Sequence, residues 1–121
     1  MTVRNYKELI VWQKAMEVTE QVYRLVKLLP KEETYALSDQ IRRSAISIPS
    51  NIAEGQARNS SKEFMKFLSI AKGSAAELET QLLLAVRIGY FKESDILPTI
   101  DLIIEVIKII NTIHSKLTTN H

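Results

Sequence analysis

ILPTIDLIIEVIKIINTI, residues 96–113, decides how the chain folds. The run is strongly apolar, yet Asp101, Glu105 and Lys108 interrupt it, and it stops short of the ~20 apolar residues that a membrane span needs. Its periodicity is helical. Ile96, Ile100, Ile103, Ile107, Ile110 and Leu117 make one seam, and Leu102, Val106, Ile109 and Ile113 make a second beside it. Placed at ~100° per residue, the two cover an arc of about 180°, whereas one bundle core uses about 100°. Soluble proteins rarely leave a contiguous apolar strip in water, so the surplus calls for a second copy. Self-association through Leu102, Val106, Ile109 and Ile113 is therefore expected; a deeply packed helix in a lopsided monomer is the alternative.

Upstream, Pro30, the stretch Gly55 to Ser61 and the stretch Gly89 to Asp95 divide the chain into four apolar-periodic segments. The spacing predicts helices over about residues 7–29, 34–55, 61–88 and 95–117 of one domain. Short links between long helices force antiparallel neighbours, so the expected fold is all-α, an up-down-up-down four-helix bundle. The first seam is Val11, Ala15, Val18, Val22, Leu25 and Leu29, ended by Pro30. The second is Leu37, Ile41, Ala45, Ile48 and Ile52; Pro49 predicts a kink relieved locally by Ser47, Ser50 and Asn51, and Gly55 a C-terminal stop. Ser60 and Glu63 have capping-box spacing before the third seam, Phe64, Leu68, Ala71, Ala75, Leu78, Leu82 and Ala85. Ala71, Gly73, Ser74, Ala75 and Ala76 mark the expected tightest crossing. Ser94 is the expected cap of the last helix, with Pro98 in its first turns.

A chain of 121 residues can bury a core without a metal or disulfide staple. It has no cysteine, which excludes disulfides and thiol nucleophiles and fits a reducing, cytoplasmic setting. Met1 to Tyr6 carries no apolar leader. The only histidines are His114 and His121, and neither belongs to a Glu-x-x-His metal pair; a packing or capping role is expected for His114 and a frayed tail for His121. The three glycines form no phosphate-binding loop, and Ser74 has no histidine near it in sequence. No cofactor and no enzymatic activity are expected. Only a pocket gathering Glu54, Glu63 and Glu77 would reopen catalysis.

Two polar patterns remain. Gln40, Ser44, Ser47, Asn51 and Glu54 run down the second helix at steps of four and three, and Glu63, Ser74, Glu77 and Gln81 flank the third. Groups beside a core seam must bond across helices or subunits, so Gln40, Ser44, Ser47, Asn51, Glu54, Ser74, Glu77 and Gln81 are expected to form a specificity network, or else to line a ligand pocket. The net charge is +2, but residues 1–74 carry the basic excess. Pairing the second and third helices about residues 57–58 places residue 43 near 72 and gathers Arg42, Arg43, Arg58, Lys62, Lys66 and Lys72 in one layer. That layer is either a polyanion contact or an ordinary solvated face.

The run from Gln40 to Gly55, QIRRSAISIPSNIAEG, resembles the signature of the four-helix bundle proteins encoded in intervening sequences of 23S rRNA genes. Leu9 to Ala15, Phe67 to Ser74 and Glu77 to Leu82 resemble other stretches of the same family, so the likeness spans nearly the whole chain. Two positions depart from it: Ser44 stands where alanine is usual, and Ala57 precedes Arg58 where glycine is common. The resemblance implies a ring-like homopentamer without known enzymatic activity. Similar rings among accessory proteins of diversity-generating retroelements, which associate with a reverse transcriptase and nucleic acid, imply an RNA or ribonucleoprotein partner by analogy. The expected function is a non-enzymatic homo-oligomer touching RNA through the six cations; the alternative is an oligomeric scaffold that binds a protein partner and no nucleic acid.

Overall fold

The computed structural model describes residues 5–119. Four helices account for most of it: α1 (Ile10–Leu25), α2 (Leu37–Ala57), α3 (Ser61–Ile88) and α4 (Glu93–Thr119). Each helix packs against its neighbours in sequence, α4 closes the ring onto α1, and among the described residues the backbones of diagonal pairs stay farther apart. The helices therefore stand at the corners of a square. Bonded pairs give the direction: Ser44–Glu77 with Ser47–Ser74, and Gln21–Thr99 with Lys14–Glu105, each advance on one helix while retreating on the other. Neighbours are antiparallel.

The helix ends follow from local chemistry. A 3-10 turn, Tyr6–Glu8, precedes α1, so the first helix begins at Ile10 instead of near residue 7. After Leu25 the coil tightens into a second 3-10 turn, Val26–Leu28, before extended Leu29 leads into Pro30. Lys31–Glu33 forms a third 3-10 turn, which delays α2 to Leu37 rather than residue 34; Glu33 Oε1 accepts from the Leu37 N–H at 3.3 Å. The Ser60 hydroxyl accepts from the Glu63 N–H and starts α3, and Gly89, in the left-handed region at φ 98°, ends it. Ser94 is not the cap of α4. The helix starts at Glu93, and the Asp95 carboxylate reaches back to the Lys92 N–H at 2.9 Å. Pro98 thus falls in the second turn. His121 lies outside the described residues.

The four expected seams line one core, with Leu37, Phe64, Ile100 and Ile107 partly buried against it and Leu117 outside it. Val11, Ala15, Val18, Val22, Leu25 and Leu29 meet Ile41, Ala45, Ile48 and Ile52, while Leu68, Ala71, Ala75, Leu78, Leu82 and Ala85 meet Ile96, Ile103 and Ile110. Two expectations about backbone do not hold. α2 passes through Gly55, which is buried because α3 lies against it: a Cβ there would sit 2.6 Å from Phe67 Cβ. The glycine allows a close crossing and terminates nothing. Pro49 is also inside α2 and buried, and the freed i−4 carbonyl is relieved from the neighbouring helix, not by Ser47, Ser50 or Asn51. Thr19 Oγ1 on α1 donates to Ala45 O at 3.1 Å, sharing its proton with Ala15 O at 2.9 Å. Gly73, expected at the tightest crossing, is exposed and a Cβ there would meet nothing within 4 Å.

Candidate functional site

The face where α2 and α3 meet carries the polar stripes. Ser44 is buried, and its Oγ donates to Glu77 Oε1 at 2.9 Å. One turn further along α2, Ser47 and Ser74 share a 2.8 Å bond, and Asn51 Nδ2 donates to both Ser47 O (2.8 Å) and Ser47 Oγ (2.9 Å). Ser44, Ser47, Asn51, Ser74 and Glu77 thus form the bonded middle of the expected network. Glu54 leaves it, turning toward Arg58 at 2.7 Å. Gln40 and Gln81 share a level in this register, yet Gln81 Oε1 is buried without a partner. Because each bond across the seam fixes one pair of levels, the network sets register as well as distance.

That register moves the cations. The pairs Ser44–Glu77 and Ser47–Ser74 place the pivot of the two helices near residues 60–61, beyond the expected 57–58, because α2 continues to Ala57. Arg43 consequently lies level with Leu78, and Lys72 with Pro49, so the single layer breaks into two ends. Arg42 is half-buried and donates to Thr34 O at 3.4 Å, while Arg43 pairs with Asp39 at 3.1 Å. At the other end Arg58 meets Glu54 at 2.7 Å and Glu63 at 3.8 Å; the hydrogen bond it donates to Glu54 raises its pKa above the ordinary arginine value. Arg58 and Lys66 both cover the Phe67 ring, at 5.1 and 5.6 Å from its centroid. Lys62, Lys66 and Lys72 are exposed, and none belongs to an ion pair among the described residues.

The three carboxylates do not gather. Glu54 and Glu63 meet at Arg58, whereas Glu77 is held by Ser44 several turns away. Among the described residues no group of three His, Cys, Asp or Glu could hold a metal ion, and no helix is long and apolar enough to cross a membrane. His114 is half-buried and makes one long contact, 3.4 Å from Nε2 to Ser69 Oγ.

The second apolar seam of α4 is placed differently from expectation. Val106 is fully buried within its own bundle, so it has no surface to offer a second copy. Leu102, Ile109 and Ile113 are half-buried and pack against the same core. The wide arc of α4 is absorbed largely by α1 and α3 standing on either side of it. Large apolar side chains are exposed elsewhere, including Met16 and Tyr23 on α1, Ile46 on α2, Ile70, Leu83, Leu84 and Ile88 on α3, and Leu97 and Ile104 on α4.

Sequence reasoning missed three polar joints. The first is the Thr19 bond to Ala45 O described above. In the second, buried Thr99 donates to Gln21 Oε1 at 2.7 Å; its position between Ile96 and Ile103 on the core seam was the available signal. In the third, Tyr90 Oη donates to Glu33 Oε2 at 2.8 Å across 57 positions of sequence, and no local pattern announces it.

The comparisons agree with this architecture. A family model described as 23S rRNA-intervening sequence protein matches residues 7–112. Among solved structures, the chain is similar to a protein of unknown function from the S23 ribosomal protein family of Bacteroides thetaiotaomicron, with 30% identity, a TM-score of 0.79, and coverage of 86% of this chain and 97% of that one. No curated protein matches the chain.

Proposed function

The chain belongs to the 23S rRNA-intervening sequence protein family, and on that footing we propose that it acts without catalysis, as a self-associating four-helix bundle that contacts RNA or a ribonucleoprotein. The observation carrying the RNA contact is that Lys62 and Lys66 are exposed at the start of α3, with Lys72 exposed further along and about a third of a turn round the helix, and that none of the three meets a carboxylate among the described residues. They span ten residues, about 15 Å of helix. Two of them sit in the first turns of α3, where the macrodipole repels cations, a cost that a bound polyanion would offset. Arg42, Arg43 and Arg58 contribute less, since each already serves an internal acceptor.

Binding of rRNA fragments at two salt concentrations tests the proposal. Replacing Lys62, Lys66 and Lys72 together by Gln is expected to weaken binding and to reduce the slope of log K against log salt by about two to three. Binding that ignores both salt and the substitutions overturns it. The rival, a scaffold for a protein partner, is favoured by exposed Ile70, Leu84 and Ile88 beside the polar seam. Recovery of a stoichiometric protein partner with no nucleic acid would select it.

A further inference from the structure

The two ends of the bundle differ in charge. At the end where α1 and α3 begin and α2 and α4 finish, Lys7, Lys62, Lys66 and Lys116 are exposed and belong to no ion pair among the described residues. The contacts Ser69–His114 and Met65–Thr118 set Lys116 level with Phe67, which brings it to the same end as Lys66. Glu54 and Glu63 there are occupied by Arg58, and exposed Glu8 is left as the carboxylate outside an ion pair among the described residues. The opposite end mixes its charges: Lys31 and Lys92 stand among Glu32, Glu33, Glu93 and Asp95. A polyanion is drawn to the first end.

The basic end also carries a cavity. About 200 Å³ lies between the start of α1 and the α2–α3 turn, with Leu9 and Phe64 in its apolar lining and Asn59, Ser60 and Ser61 in its polar lining. That is less than the ~300–1,000 Å³ of a site for a drug-sized ligand, so it suits one flat ring system rather than a whole nucleotide. An aromatic ring beside a few polar groups is the combination that reads an unpaired base, by stacking on its face and bonding to its edge. Asn59 is fitted to the second task. It takes the left-handed conformation at φ 57°, and its side-chain amide, which can both donate and accept, makes no hydrogen bond among the described residues. Duplex RNA has no such base to offer, because its bases are paired and stacked.

We propose that this cavity takes one unpaired base of an RNA strand, set against Phe64 with its edge on Asn59, while Lys62 and Lys66 hold the adjoining phosphates. This rests on the RNA contact in the reading above and says which form of RNA makes it. Lys62 directly follows Ser61 at the rim of the cavity, and Lys66 stands one turn further along α3 on the same side of the helix. A strand whose base enters the cavity therefore runs on over both lysines. Stacking on one ring tolerates any base, so the preference is for unpaired RNA and not for a sequence. Because the cavity opens at the end of the bundle, it does not depend on what covers the side walls.

Fluorescence anisotropy with a mixed-sequence RNA of about ten nucleotides, single-stranded or annealed to its complement, tests the proposal at one salt concentration. The wild type is expected to bind the single strand about five-fold or more tightly than the duplex, the effect of one stacked base. Phe64→Leu keeps an apolar side chain beside Gly55 and is expected to abolish that preference while the salt dependence remains. Asn59→Gly, which suits the left-handed backbone, is expected to reduce the preference about two- to ten-fold without loss of stability. It carries the test alone if circular dichroism shows that Phe64→Leu does not fold. A duplex bound as tightly as the single strand overturns the proposal and leaves the RNA contact standing, and so does a preference that survives either substitution in a folded variant. A protein that binds neither form overturns the RNA contact and this proposal together.

Discussion

α3 has two neighbours and meets them in different ways. Toward α2 it comes close enough that Gly55 has no room for a methyl group, and two side-chain bonds, Ser44–Glu77 and Ser47–Ser74, cross the seam. Toward α4 it makes two long polar contacts, 3.4 Å for Ser69–His114 and 3.9 Å for Thr118–Met65, and the packing is aliphatic. A seam closed by small residues and directional bonds is fixed in distance and register. A seam of isoleucines is fixed mainly by volume and tolerates small slides. The α2–α3 pair is thus the more tightly fixed half of the molecule.

The largest way to break that contrast is Gly55→Ala. The added carbon must displace Phe67 Cβ from 2.6 Å, which is backbone-proximal and cannot rotate away, so α2 and α3 have to separate. A loss of about 1–3 kcal/mol is expected in urea denaturation, the usual cost of overpacking. Gly73→Ala, on the exposed side of α3, should instead stabilise by about 0.5–1 kcal/mol through helix propensity alone. Equal effects at the two glycines would mean that the close approach is not what α2–α3 packing depends on.

These two glycines also show what the sequence could and could not convey. Apolar spacing located the four helices and nearly every core residue, because the period of a helix and the burial of one face are local properties. Gly55 and Gly73 look alike in that respect; which of them faces a backbone depends on where α2 stops, and that depends on a turn only three residues long between Ala57 and Ser61. The same end shift moved the pivot of the hairpin and dispersed the six expected cations. Val106 was misplaced for a related reason. An arc of apolar residues shows how much surface a helix wants to bury, but the two neighbours flanking α4 decide how much of it they cover. The polar stripe of Ser44, Ser47 and Asn51 was legible since it ran beside a core seam, whereas the bond from Tyr90 to Glu33 joins segments that only the finished bundle brings together.

A smaller effect sharpens the account of α2 from its other side. Thr19→Val keeps the shape of the side chain but removes the hydroxyl that reaches Ala45 O, the carbonyl that Pro49 leaves without its helical donor. The half-buried site gives that oxygen little water in exchange, so a loss of about 1 kcal/mol is expected. Pairing Thr19→Val with Pro49→Ala should recover most of it, since alanine restores the N–H. If the two substitutions are simply additive, the hydroxyl is serving Ala15 O and does not stand in for the donor that Pro49 lacks.

The smallest effect lies where the looser half of the bundle is tied down. Tyr90, just after α3, donates to Glu33, whose other oxygen accepts from the first N–H of α2, so one carboxylate joins the α3–α4 turn to the start of α2. The bond to Glu33, helped by burial, raises the Tyr90 pKa above its ordinary value of 10.0. Ionisation removes the donated proton and sets two negative groups side by side. Since the folded form holds the proton more tightly than the unfolded chain, the stabilisation is complete below about pH 10 and is lost as the pH rises through the raised value. Tyr90→Phe lacks the bond at every pH. Its Tm should therefore lie slightly below that of the wild type at neutral pH, and the gap should close in alkaline solution. A gap that stays constant across that range would show that the ring packs the turn and the hydroxyl contributes nothing.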